Sequence, residues 1–233
     1  MHSRGCCTAP KGKRIMLRER PLYNRDIPTR IVKPEWWIQE SHSVAQTVEW
    51  GGLVVFPTET VYGIGAHPRK PYAVKRVYDI KKRTLDKPLQ MLISNIDMVG
   101  RFVEDVPITA ARLMQACWPG PLTMVFYTGE EGQTMGLRVP DHPVALRLIE
   151  LCGGALYGTS ANLSGMPDTT DFASARALFM GKVDVIIDGG ECEEGVPSTV
   201  VIAEGERVRV LREGAYPASE IYRVAYGGAH PEQ

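Results

Sequence analysis

A chain of 233 residues, 44% hydrophobic and 23% charged, is long enough for one large domain or two small ones around a substantial core. Lys and Arg number 27 and so do Asp and Glu, a balance that excludes a whole-surface polyanion binder but leaves room for a local basic pocket. Cys6, Cys7, Cys117, Cys152 and Cys192 form no C-x-x-C pair, which argues against a disulfide framework or zinc site and for a reducing compartment. No apolar run approaches the roughly 20 residues that span a bilayer, and the basic N-terminus lacks the apolar segment of a secretory signal, so a cytoplasmic location without membrane contact is expected.

Residues 1–30 are rich in Arg, Lys and Pro with little periodicity and read as a poorly ordered tail, followed by one domain over 31–233. "SHSVAQTVEWGG" predicts a helix capped by Ser41 or Ser43, with Val44 and Val48 on one face and Gly51 as its stop. Leu53-Val54-Val55-Phe56 is a short core strand, ended by Pro57 and followed at once by polar Thr58-Glu59-Thr60, Tyr62 and the pair Gly63 and Gly65. The spacing of Ala73, Val74, Val77, Tyr78 and Ile80 predicts a helix over 71–83. "PLQMLIS" reads as a strand, "PITAARLMQACW" as a helix stopped by Pro119-Gly120-Pro121, and "LTMVFYT" and "TMGLRVP" as two strands. A helix "HPVALRLIELCGG", a strand "ALYGTS", a helix "DFASARALFMG" and a strand "VDVIID" follow, and "STVVIAEGERVRVLREG" is a hairpin. Helix and strand alternate while two pairs look antiparallel; the expectation is an α/β fold with a twisted, open, mixed β-sheet flanked by helices.

Four polar clusters end apolar elements, and strand ends in α/β sheets are where ligands sit. The first is Pro57-Thr58-Glu59-Thr60. The second, Lys81-Lys82-Arg83, is either a cationic helix end or a phosphate clamp. On the clamp reading, alanine at Lys81 or at Arg83 should cost activity by about several-fold or more while leaving the melting temperature nearly unchanged, since helix-end charges contribute only about 0.3–1 kcal/mol; if both variants unfold, the helix-end reading stands. "TSANLSG", from Thr159, is either a turn or a group of hydroxyls and amides for a ligand's oxygens, and "GVPST" precedes a hairpin that closes at Arg212. Arg138, mid-strand beside Leu137 and Val139, points to solvent or needs an anionic partner inside. There is no G-x-x-x-x-G-K-[ST] loop, no G-x-S-x-G elbow and no H-E-x-x-H. His67 and His142 each precede a proline and read as structural, while Met114, Trp118 and Phe126 read as core.

"FPTETVYGIG", Lys81-Lys82-Arg83, "WPGPLT", "LRVPDHPVA", "TSANLSG", "VDVIIDGG", "PSTVV" and "VLREG", in that order across about residues 44–214, resemble the YrdC-like family of L-threonylcarbamoyladenylate synthases. The resemblance implies a deep concave basic pocket in a single-domain form of the fold. The implied enzyme is a nucleotidyltransferase that joins L-threonine, bicarbonate and ATP, with Mg²⁺ accompanying ATP, to give threonylcarbamoyl-AMP and pyrophosphate. Its product would pass to the enzyme that transfers the threonylcarbamoyl group to tRNA, with RNA contact as a further expectation. It further implies that Lys81, Arg83, Thr134, Ser160, Asn162 and Arg212 bind ATP and that Thr58, Arg138 and Ser198 bind threonine, Arg138 pairing with its carboxylate. The glycines after Thr58 would let the backbone approach the amino acid, and no residue is assigned as a metal ligand. Position 92 is Leu where several relatives place a threonine-contacting His, 166 is Met where many carry Arg, and 84 is Thr where Pro is common. The alternatives are a double-stranded RNA-binding module, disfavoured by the even charge, and a nucleotide-binding paralogue without synthesis.

Overall fold

The computed structural model describes residues 27–129 and 132–228, so the tail expected over 1–30 lies outside the described residues up to position 26. From there the chain is tied in. The Ile27 N–H donates to the Gly181 carbonyl at 2.9 Å and the Thr29 hydroxyl to the Val183 carbonyl at 2.6 Å. The strands are β1 (Arg30–Val32), β2 (Val54–Phe56), β3 (Gly63–Ala66), β4 (Gln90–Ile93), β5 (Leu122–Tyr127), β6 (Thr134–Arg138), β7 (Ala155–Ser160), β8 (Val185–Ile187), β9 (Thr199–Glu204) and β10 (Arg207–Arg212). The helices are α1 (Trp37–Glu49), α2 (Pro71–Lys81), α3 (Ile108–Cys117), α4 (Pro143–Leu151), α5 (Phe172–Phe179) and α6 (Ala218–Tyr226). No helix among the described residues is long and apolar enough to cross a membrane.

The strands form one sheet in the order β1-β8-β2-β3-β7-β4-β6-β5-β9-β10. Strands β1 and β2 run parallel to β8, β4 to β6 and β5 to β9, while the remaining neighbours are antiparallel. The mixed α/β sheet expected from the sequence is what forms. Side-chain alternation then sorts the residues onto two faces. One face buries Val55, Ile64 and Ile186 under α2 and α5, and Met91, Met124, Leu137 and Val201 under α3 and α6. The other buries Val54, Phe56, Leu92, Leu156, Val185 and Ile187 under α1 and α4, and those two helices reach only across the β1 side of the sheet. Over β6, β5, β9 and β10 this second face has no helix on it among the described residues.

Three local outcomes differ from the sequence expectation. Helix α1 begins at Trp37, not at Ser41 or Ser43, because its buried stripe runs Trp37, Ser41, Val44, Ala45 and Val48. Ser41 lies inside it and satisfies its hydroxyl on the Ile38 carbonyl at 3.1 Å. Gly63 and Gly65 do not approach the cavity with flexible backbone; they form strand β3, paired with Phe56 and Val54. The absence of side chains there makes room for the Phe56 ring: a Cβ on Gly65 would lie 2.8 Å from Leu156 Cδ2 and 3.1 Å from Phe56 Cε1. Strand β1 and helix α6 are additions to the elements that the sequence pattern predicts; β1 pairs with β8, and α6 packs Ile221 and Ala225 into the core beneath α3.

His142 caps α4, its Nδ1 accepting the Val144 N–H at 3.3 Å, and His67 Nδ1 accepts the Arg69 N–H at 3.2 Å, so both histidines hold local structure. Gly65→Ala should overpack the β2–β3 layer and destabilise the chain by about 1–3 kcal/mol, read as a lowered urea midpoint with unchanged slope.

Candidate active site

The uncovered half of the second sheet face holds a cavity of about 340 Å³. Its floor is set by alternation and register. Gln90 on β4, Gly136 on β6, Thr123 and Val125 on β5 and Val200 on β9 all line it, as does Gly158, paired with Gln90. Thr134 and Arg138 flank Gly136 on the same strand and face the same way. At the sheet edge, strict alternation would put Arg212 with Val208 and Val210 against α3 and α6. The register instead skips Leu211, so that Val210 pairs with Val201 but Arg212 pairs with Val200. This β-bulge turns the guanidinium into the cavity.

Of the nine expected site residues, Arg83, Thr134, Arg138, Ser160, Ser198 and Arg212 line this cavity; Thr58, Lys81 and Asn162 do not. The basic trio at the end of α2 is split three ways. Lys82 takes a left-handed conformation that ends the helix and leaves it exposed. Arg83 is held to its own loop, donating from Nε to the Lys87 carbonyl at 2.8 Å and from Nη2 to the Pro88 carbonyl at 3.0 Å, with its remaining donors at the cavity. Lys81 is 1% exposed, and its ammonium donates to the Ser160 carbonyl, to the Asn162 carbonyl at 2.8 Å and to Asn162 Oδ1 at 2.7 Å. Three donors meet three acceptors, so Lys81 fixes the Ser160–Asn162 turn from behind. Burial, then the neighbouring Arg83 charge, pulls its pKa down to about 8, with Asp168 opposing.

The hydroxyls are oriented too. Ser160 Oγ donates to Asn162 Oδ1 at 2.9 Å, which leaves its lone pairs free, and Asn162 Nδ2 donates to the Met166 carbonyl at 2.7 Å. Thr123 gives its only hydroxyl hydrogen to Gln90 Oε1 at 2.9 Å, so in its 2.9 Å contact with Ser198 the serine is the donor. Ser198 Oγ therefore also offers lone pairs. Arg212 Nη2 binds the Ser198 carbonyl at 2.7 Å, and Gly214 passes so close that a Cβ there would sit 2.1 Å from the Pro197 carbonyl oxygen. The two chain segments are in this way held together as one wall. Arg212 stands at the mouth, where surrounding walls lower its pKa; Asp168 opposes that shift, and Arg138 and Arg83 add to it.

Arg138 resolves its sequence ambiguity by pointing inward, only 3% exposed. Its Nε donates to the Gly120 carbonyl at 3.1 Å, and Nη2 donates to Glu59 Oε1 at 2.6 Å and to the Thr60 hydroxyl at 2.9 Å. Thr58 Oγ1 donates to the Val61 carbonyl at 2.7 Å and accepts the Thr60 and Val61 N–H groups, each at 3.3 Å, so its hydroxyl is consumed in shaping the turn that carries Glu59. Sequence reasoning missed Gln90, Thr123 and Asp168, and it named Glu59 within the first polar cluster without giving it a role. For the first two a signal existed: each is a polar residue on one face of a strand otherwise built for the core.

A protein-family model described as "Telomere recombination", covering Sua5, YciO and YrdC, matches residues 46–214. The chain belongs to this family. It is 38% identical over 198 residues to a threonylcarbamoyl-AMP synthase of Pyrococcus abyssi, a match that spans 82% of this chain and 57% of that protein. A putative threonylcarbamoyl-AMP synthase of Mycobacterium tuberculosis is 35% identical over 190 residues, 78% of this chain and 87% of its own length. Among solved structures, P. abyssi Sua5 complexed with L-threonine superposes with a TM-score of 0.77 at 36% identity, covering 87% of this chain and 62% of that one. E. coli YciO, at 24% identity and a TM-score of 0.73, shares the fold. The chain spans about half to three fifths of the length of the first curated relatives it matches, 57% in Pyrococcus abyssi and 52% in Bacillus subtilis.

The burial of Lys81 corrects the expectation that both cations of the trio can be removed without structural cost. Lys81→Met should strand up to three acceptors, at about 1–3 kcal/mol for each that stays buried, while Arg83→Ala should stay within about 0.5 kcal/mol of wild type. Thermal denaturation of the two variants side by side checks the contrast.

Proposed function

We propose that this chain is an L-threonylcarbamoyladenylate synthase, joining L-threonine, bicarbonate and ATP to give threonylcarbamoyl-AMP and pyrophosphate. The observation that carries the reading is the convergence of Arg83, Arg138 and Arg212, from three separated parts of the sequence, on one cavity with oriented hydroxyls. The L-threonine complex of Pyrococcus Sua5 and the names of the curated relatives support the same substrate class.

The chemistry asks for such a site. The neutral amine of threonine and bicarbonate give a carbamate and water; a carbamate oxygen then attacks the α-phosphorus, and pyrophosphate leaves with the electrons of the broken P–O bond. Two anions must be brought together, so neutralisation and alignment matter more than a strong base. In this reading Arg83 and Arg212, at the mouth, bind the phosphates of ATP, with Thr134 as a further contact; their common position at the cavity supports it. Arg138 and Ser198, deeper on the floor, bind threonine in the same reading: Nη1 of Arg138 takes the carboxylate, and the Ser198 lone pairs take a hydrogen-bond donor of the amino acid.

Magnesium enters with ATP as part of the substrate. Ser160 Oγ suits it, because its hydrogen is committed to Asn162 and a hydroxyl oxygen with free lone pairs is a hard donor. Lys81, Asn162 and Thr58 act in this reading as the frame that fixes Ser160 and Arg138. We read the enzyme as cytoplasmic, handing its product to the protein that transfers the threonylcarbamoyl group to tRNA. The RNA-binding alternative gains no support from a chain whose 27 cationic residues are matched by 27 anionic ones.

Pyrophosphate release by the purified chain should require threonine, bicarbonate and ATP together; a folded preparation that gives none above background defeats the proposal. Arg212→Ala should raise the KM for ATP by about tenfold or more, since a charge-assisted contact is worth about 1.5–3 kcal/mol, and should leave the melting temperature close to wild type.

A further inference from the structure

Glu59 is not part of the cavity lining, yet it forms the one ion pair among the described residues whose two side chains are both almost wholly buried, 4% exposed for Arg138 and 7% for Glu59. The pairing is made through a single nitrogen and a single oxygen, at 2.6 Å. Glu59 Oε2 is buried and receives no donor among the described residues. A carboxylate and a guanidinium free to optimise their contact close a two-bond fork, and a buried acceptor without a donor is a cost. Here the second bond is absent, and the guanidinium is instead shared out, Nε to Gly120 and Nη2 to Glu59 and Thr60. What remains is Nη1, without a partner among the described residues, on a side chain that lines the cavity.

The turn that presents the carboxylate is itself secured. Thr58 knots it internally, and the Glu59 carbonyl accepts the Glu194 N–H at 2.8 Å. Glu59 also places a negative charge behind Arg138, whose own charge is felt at Arg212 together with that of Arg83. We propose that Glu59 is a positioning residue for the amino-acid half of the reaction. It grips Arg138 by one nitrogen so that the free edge meets the substrate carboxylate, and it offsets a cation that would otherwise repel its neighbours. This inference rests on the synthase reading above.

Calorimetric titration of the full chain with L-threonine and, separately, with ATP, together with pyrophosphate-release kinetics, tests it in wild type and Glu59→Gln. The swap keeps the shape, removes the charge and adds a positive increment to the cavity. The threonine Kd and KM should rise by about tenfold or more, while the ATP Kd stays within about twofold or tightens. A general defect would weaken both substrates, so a folded Glu59→Gln that loses threonine and ATP alike, or that keeps threonine within about twofold, overturns the proposal. If Glu59→Gln does not fold by circular dichroism, Glu59→Asp, which keeps the charge but withdraws it by one methylene, carries the same expected split and the same overturning results. Wild type that neither binds threonine nor releases pyrophosphate defeats the synthase reading itself, and this inference with it; wild type that does both while the variants match it defeats this inference alone.

Discussion

The site exists because one sheet has more face than its helices can cover. Among the described residues four helices cover the first face, but only α1 and α4 pack on the second. Four strands on one side therefore have side chains with no helix above them among the described residues. Pleat alternation commits the opposite side of three of those strands to Met124, Leu137 and Val201, and leaves their bare side open to polar and small residues beside the apolar Val125 and Val200. Thr123, Thr134, Gly136 and Arg138 take such places, with Gln90 of β4 beside them. The hollow and its chemistry thus have a single origin, and neither requires a loop to fold over it.

Within that hollow the protein handles its charges in two ways. Lys81 is buried against neutral carbonyls and an amide, which spreads a full positive charge over dipoles that are themselves fixed in the chain. Arg138 is buried against a carboxylate, so its net charge is smaller than its position suggests. Arg83 and Arg212 are left to face the solvent side, each tethered through main-chain carbonyls that cost it no charge. A site built this way presents its strongest field at the mouth and its most rigid donor at the floor.

Much of this is legible in the residues. The apolar run at β2, the helical spacing of α2 and the antiparallel pair β5 and β6 follow directly from hydrophobic period and turn chemistry. Strand β3 is hidden because its two glycines carry no strand signal; the packing they need comes from Phe56 on the neighbouring strand. The early start of α1 is hidden for a related reason, since Trp37 joins its buried stripe through the tertiary fold and not through a cap. At the site, the cations and hydroxyls can be named from the sequence but not sorted into depth. Lys81 and Arg83 are two residues apart, yet one is walled in by a turn that lies 79 to 81 positions along the chain. Nothing local distinguishes them. Arg138 is the reverse case: local alternation poses the right question, and only the distant Glu59 can answer it.

The bulge at Leu211 carries a consequence for how this protein can change. Arg212 owes its direction to a count, one more residue on β10 than on β9 opposite, and not to its own identity or that of its neighbours. Pairing without the bulge, at the same length, would put Leu211 opposite Val200 and Arg212 opposite Thr199, and so swing the guanidinium to the far side of the sheet. A lineage could therefore silence the mouth of the site while tidying its fold. For this hairpin, the bulged register is the trait to be held, because it alone keeps Arg212 opposite Val200.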